Sequence, residues 1–104
     1  LVCGTYHIVP DMIQSFRCRK TGAFFRGGPC PAQWKSLESV AYRNLAMLDD
    51  AVVLRDLGQL PGNRLEALRG DRKGQYSIRI NDQWRICFRW QDQGPGDVEI
   101  TDYH

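Results

Sequence analysis

The sequence is poor in the features that most directly mark a function. No apolar run approaches the ~18 residues of a membrane-crossing helix, and no secretory signal pattern is seen. A soluble chain of the reducing cytoplasm, with no membrane partner, is the expectation. The four cysteines, Cys3, Cys18, Cys30 and Cys87, match no zinc-ligand spacing. There is no paired-carboxylate metal site, so the expected metal and cofactor complement is none. A glycine-rich phosphate loop, zinc-finger spacing and a single-strand aromatic module are missing too, which excludes the best-known nucleotide and nucleic-acid motifs. Histidine is scarce, with only His7 and His104. From Gln91 to His104 there are four acids and no Lys or Arg.

What is present reads as one globular domain. The 104 residues suit a single core, and the 42% hydrophobic and 25% charged content is ordinary for folded chains. The formal net charge of +2 says little about partners. Its distribution says more: Arg64 to Arg89 holds seven Lys/Arg and three Asp/Glu, just ahead of the acidic last segment.

Residues 1–11 end in "VPD" and read as an N-terminal extension or a cloning remnant, so the domain is placed at 12–104. Met12 followed by "IQSF" reads as a first strand. "RCRKTGAFFRGG" reads as a short helix closing near Gly27 and Gly28, weakened by Gly22. "AQWKSLESVAYRNLAMLDDA" is the clearest helix. Trp34, Leu37, Ala41, Leu45 and Leu48 recur at steps of three and four, with Val40 widening the stripe. "VVLRDLGQLPG" adds a helical turn before Gly58. After Asn63 the period changes. "RLEALRG" is a short strand and "DRKG" a turn. Tyr76, Ile78 and Ile80 alternate with Ser77 and Arg79, and Trp84, Ile86, Phe88 and Trp90 with Arg85, Cys87 and Arg89. "VEITDYH" closes as a strand with Val98 and Ile100 on one side. The expected architecture is α+β: an N-terminal strand and helices packed on a curved, mainly antiparallel sheet. Cys87 is read as a small filler residue.

One parity of the strands faces the helices, leaving Arg79, Arg85 and Arg89 on the other. A guanidinium is always charged and offers a rigid fork of donors that fits phosphate oxygens. Arg69, Arg72 and Lys73 surround the turn at the mouth of these strands. Arg79 and Arg85 lie on neighbouring strands about 4.8 Å apart, within reach of one ligand. Cross-strand ion pairs with Glu99 and Asp102 explain the same pattern without a ligand. The terminal "DYH" adds Asp102, Tyr103 and His104. The histidine, with a free pKa near ~6.5, suits acid or base work at neutral pH. The plain alternative is a strand end fraying into solvent. On strict alternation Asp102 and His104 share the side of Val98 and Ile100, so a cluster with the arginines requires the chain to leave the sheet after about Thr101.

"LAMLDDA", "PGNRLEALRGDRKGQYSIRINDQWRICFRW" and "DVEITDYH" resemble the HigB-type toxins of the RelE/ParE superfamily, the plasmid maintenance killer proteins. The similarity runs from Met12 to His104, and residues 1–11 fall outside it. The resemblance implies a compact RelE-like fold and a toxin that binds the decoding site of the small ribosomal subunit and cuts mRNA there. It implies a HigA-like antitoxin with a helix-turn-helix domain as partner, through which alone operator DNA is bound. Family basic positions match Arg69, Arg72 and Arg85, and the family's terminal triplet matches Asp102, Tyr103 and His104. Where some members carry a histidine, Glu66 stands here.

On that resemblance, an endoribonuclease mechanism without metal or cofactor is expected, in which the RNA 2′-hydroxyl is the nucleophile. Arg72 and Arg85 stabilise the phosphate, His104 is acid or base, Tyr103 positions the nucleotide and Asp102 holds the terminus. Arg69 orients the RNA backbone, with Lys73, Arg79 and Arg64 as further phosphate contacts. Two other accounts remain open at this point: a gyrase-poisoning toxin of the same fold, and a nucleic-acid-binding module without catalysis.

Overall fold

The stripe Trp34, Leu37, Ala41, Leu45 and Leu48 recurs at helical steps, and a computed structural model, which describes residues 12–91 and 94–102, buries all five. They do not lie on one helix. Ala32–Leu37 is a 3-10 helix, and α2 begins at Glu38 and runs to Asp50. The stripe passes through the junction because both helical forms bring residues three apart to nearly the same side. Asn44 is the polar member of the buried face. Its side-chain amide donates to the Arg79 carbonyl at 3.0 Å, which ties α2 to the sheet.

Two shorter helices flank this one: α1, Arg19–Phe25, and α3, Leu54–Gly58. Gly22 in α1 has a packing reason. A Cβ there would meet Arg26 and the Phe16 ring at 3.2 Å. The sheet contains β1 (Glu66–Ala67), β2 (Tyr76–Arg79), β3 (Trp84–Gln91) and β4 (Gly94–Asp102). They are antiparallel neighbours in the order β1-β2-β3-β4. Ile78, Ile80, Ile86, Phe88, Val98 and Ile100 face the helices and close the core with Phe24, Trp34, Leu45 and Leu57. Trp84 and Trp90 pack half-buried at its edge. The α+β architecture is therefore as the alternation implies.

The expected N-terminal strand is much reduced. Residues around Phe16 run parallel to β4, with one bridge, Phe16 to Val98. Gln14 N–H donates to the Pro95 carbonyl, Val98 N–H to Ser15 and Arg17 N–H to Val98. The pairing stops there because the chain turns into α1. Thr21, fully buried in α1, takes over and accepts the Ile100 N–H through Oγ1 at 3.0 Å. The open edge of β4 is thus closed by main chain and one hydroxyl. Thr21→Val keeps the shape and removes the acceptor. It is expected to cost about 1–3 kcal/mol, read as a fall of several degrees in Tm by calorimetry, with Thr21→Ser retaining most of the stability.

A bulge lies between β3 and β4. Cys87 pairs with Glu99 but Arg89 with Gly96, so Asp97 and Val98 share one partner position. Asp97 takes φ +50 there. The extra residue switches the parity of β4, placing both Gly96 and Glu99 on the side of Cys87 and Arg89.

Candidate functional site

On the sheet face away from the helices, one cross-strand row reads Glu66, Ser77, Cys87, Glu99. Alternation predicts a solvated polar face, yet Ser77 and Cys87 are 0% exposed. The arginines stand over these small side chains: Arg85 bonds to Ser77, and Arg72, Arg85 and Arg17 are near enough to the Cys87 thiol to act on it. Arg85 leans from β3 toward β2, donating Nε to Ser77 Oγ and Nη2 to the Arg64 carbonyl, both at 2.7 Å. Arg72 comes from the 3-10 turn Gly70–Arg72. Its Nη1 donates to Gln75 Oε1 at 3.1 Å and to Glu99 Oε2 at 3.0 Å. Gln75 is itself buried, so Arg72 is held at two points.

The charges are balanced in pairs. Glu99 sits between Arg72 and Arg17, whose Nε is 3.8 Å from the same carboxylate oxygen. Glu66 lies 3.7 Å from Arg85. Arg89 pairs with Asp97 at 3.4 Å and packs over Gly74, where a Cβ would lie 2.8 Å from its Nη1. Gly74 has φ +93, so the turn also needs the freedom of glycine. Burial pushes the Cys87 thiol pKa up and Glu99 adds to this, while Arg72, Arg85 and Arg17 pull it down; the net direction is up. The thiol stays protonated, so the arginines stand over a neutral floor that offers no thiolate nucleophile.

The other residues named from the sequence fall in different places. Arg69 and Lys73 are exposed on the turn beside Arg72. Arg64 is exposed at φ +46, a left-handed conformation unusual for its type, and aims its carbonyl at Arg85. Arg79 stands opposite Arg85 in register but folds back on the hairpin tip to Asp82 at 2.5 Å. Asp102 is still paired in β4, opposite Trp84, and accepts from Gln83 Nε2 at 3.0 Å. It therefore stands on the helix-facing parity, and β4 does not leave the sheet at Thr101. Tyr103 and His104 lie outside the described residues. The structure thus gathers Arg72 and Arg85, with Arg64 supporting by its main chain, and sets Arg79 and Asp102 apart. Arg17 was missed. The signal was the alternation of Phe16 and Arg17, which puts Arg17 on the arginine face once Phe16 is assigned to the core. Among the described residues, no three His, Cys, Asp or Glu side chains converge as a metal site, and no helix is long and apolar enough to cross a membrane.

Two held guanidiniums of this kind have the chemistry to bind a tetrahedral oxyanion and take up charge that develops on it. Residues 14–104 match the family model of the RelE-like toxin HigB of type II toxin-antitoxin systems. Toxin HigB-1 of Vibrio cholerae is 47% identical over 57 residues, which is 55% of this chain and 60% of that protein. The chain thus spans less than two thirds of that relative. The Endoribonuclease HigB of Proteus vulgaris is 30% identical over 96 residues, covering 89% of this chain and 100% of that protein. A YoeB/ParE toxin structure from Agrobacterium tumefaciens aligns over 86% of this chain and 91% of its own at TM-score 0.47 and 17% identity.

Proposed function

Because the chain belongs to the HigB-like family of RelE-like toxins of type II toxin-antitoxin systems, we propose that it is a ribosome-dependent endoribonuclease that cuts translated mRNA. The observation that carries this reading is the pair Arg72 and Arg85, each held by hydrogen bonds over the buried Ser77–Cys87 floor. The printed name of the Proteus vulgaris relative, an endoribonuclease, supports the same class. In this reading the ribosome presents the message to the arginine face. The 2′-oxygen of one nucleotide attacks the adjoining phosphorus as its proton is removed. The phosphorus–5′-oxygen bond breaks, and the leaving oxygen is protonated. The products are a 2′,3′-cyclic phosphate (or its opened form) and a 5′-hydroxyl.

Arg72 and Arg85 take the charge that builds on the non-bridging oxygens. Arg69 orients the RNA backbone, and Lys73 adds positive charge at the turn. Arg64 acts by fixing Arg85. Arg79, paired on the hairpin tip, contributes field rather than direct contact. His104 serves as acid or base and Tyr103 positions the nucleotide. Asp102 anchors the strand end from which both continue. The positioning supplied by the ribosome lowers the entropic part of the barrier, so free RNA is a poor substrate. A HigA-like antitoxin with a helix-turn-helix domain is the proposed neutralising partner, and operator DNA is reached only through it.

The test is incubation of the purified protein with programmed ribosomes and end-group analysis of the RNA. Cleavage on the ribosome with cyclic phosphate and 5′-hydroxyl ends is the expected result. Intact mRNA, together with blocked supercoiling by DNA gyrase, overturns it.

A further inference from the structure

One carboxylate of the arginine face is largely covered. The Glu99 side chain is 14% exposed, against 56% for Glu66 and 45% for Asp97, which pair with Arg85 and Arg89. Covering a charge costs free energy unless it is paired. Two guanidiniums offset that cost here, Arg72 Nη1 at 3.0 Å and Arg17 Nε at 3.8 Å, both on Oε2.

The bulge puts Glu99 on this face. At the hairpin end of the β3–β4 ladder Gln91 pairs with Gly94 and Arg89 with Gly96. That register carried on would set Val98 against Cys87 and turn Glu99 toward the core. The extra residue, with Asp97 at φ +50 and its N–H on Ser15 Oγ at 2.8 Å, shifts the ladder by one and brings Glu99 opposite Cys87. Arg72 needs a holder of this kind. It ends the short turn Gly70–Arg72, and glycines with φ +63 and +93 stand at Gly70 and Gly74. Gln75 is three residues away on the same turn, whereas Glu99 is 27 residues away and reaches Arg72 from β4. The Glu99 bond therefore fixes the guanidinium relative to the strands that carry Arg85.

We propose that Glu99 is a positioning residue for cleavage: it sets the Arg72 guanidinium in one place beside Arg85, and acts through Arg72 rather than by touching RNA. This rests on the reading of the arginine face as the cleavage site. A carboxylate in that place repels the phosphate, so it works against anion binding. Its removal should slow the chemical step without weakening binding.

The variants are E99A, E99Q, which keeps a neutral acceptor oxygen, and D97N, which removes a negative charge from the same strand at a residue type that accepts positive φ. Single-turnover cleavage is followed on programmed ribosomes at saturating enzyme. Affinity is measured on ribosomes whose message carries a 2′-O-methyl group at the cut, which removes the nucleophile. E99A should cut about 10- to 100-fold more slowly, the cost of misplacing a group by ~1 Å, with E99Q between it and the unaltered chain and D97N within about twofold. Affinity should hold or tighten in all three. Should E99A not fold, the isosteric E99Q carries the same comparison. In an R72A background the Glu99 substitution should slow cleavage no further, since Glu99 acts through Arg72. An equal further loss there means a merely structural role and overturns the proposal, as does an unaltered rate in the Glu99 variants.

A second readout does not depend on activity: the NMR order of the Arg72 side-chain Nε–H. It should fall in E99A while that of Arg85, held by Ser77 and the Arg64 carbonyl, is retained. No cleavage by the unaltered chain together with that fall refutes the nuclease reading and leaves the clamp standing. Normal cleavage with Arg72 equally ordered in both proteins refutes the clamp alone.

Discussion

Arg85→Ala is expected to slow ribosome-dependent cleavage by about 100- to 1000-fold, the usual loss when one preorganised donor to a developing oxyanion is removed. The size follows from how the side chain is held. Only 12% of it is exposed, and its hydrogen bonds to Ser77 and the Arg64 carbonyl fix the guanidinium before substrate arrives. The phosphate therefore meets donors already in place, at no reorganisation cost. Arg85→Lys keeps the charge but loses the fork that spans Ser77 and Arg64, so it should recover little of the rate. Part of the alanine effect is structural, because Ser77 Oγ and a backbone carbonyl lose their donor. That part costs about 1–3 kcal/mol of stability and is separable: thermal melting reports it, while single-turnover cleavage at saturating enzyme reports the chemistry. Arg72→Ala should act in the same direction. It also leaves Glu99, 14% exposed, paired with Arg17 at 3.8 Å. The two losses should be less than additive, since both groups serve one phosphate.

Phe88→Ala should bring the largest loss of stability, about 3–5 kcal/mol, against a total of roughly 5–15 kcal/mol for a domain. Phe88 is fully buried in β3, a strand with a neighbour on each side, and stacks on Tyr76 with ring centres 6.2 Å apart. It also sits opposite the bulge, where the backbone is committed to the Asp97 conformation and cannot readily collapse into a cavity. Urea unfolding should show a much lower midpoint with a similar slope. A small shift would mean that the sheet relaxes around the void. Because Phe88 projects into the helix side while Arg85 and Cys87 project to the other, residual folded Phe88→Ala protein should keep an intact arginine face.

The features legible in the sequence were those set by local period. The stripe from Trp34 to Leu48 and the alternation from Tyr76 to Trp90 gave the helix layer, the sheet and the face bearing Arg85. The break between the 3-10 helix and α2 at Leu37 left no trace, since no Gly or Pro marks it. The bulge was hidden although Gly94, Pro95 and Gly96 stand beside it, because a turn and a bulge draw on the same residue types. Aspartate tolerates a positive φ better than most types, and at Asp97 the paired strands and Ser15, whose Oγ accepts the Asp97 N–H, select it at φ +50. Arg17 joined the site only through parallel pairing across some 80 residues of chain, which no local pattern encodes. The burial of Ser77 was also a tertiary effect, produced when Arg85 folded down onto it. The conflict of parity at Asp102 was legible, and its register with Trp84 shows how far the strand carries it. The nuclease chemistry itself came from the resemblance carried by "LRGDR" through "DYH", because the spacing of arginines alone fits an ion-paired sheet face equally well.

The most direct measurement is the rate of mRNA cleavage on programmed ribosomes for R72A, R85A, H104A and the triple variant, with ribosome affinity determined on the same samples. Cleavage reduced by about 100-fold or more in each, with affinity changed far less, is the predicted outcome. Undiminished cleavage in the triple variant would contradict the account outright, and so would losses of cleavage that merely track losses of binding.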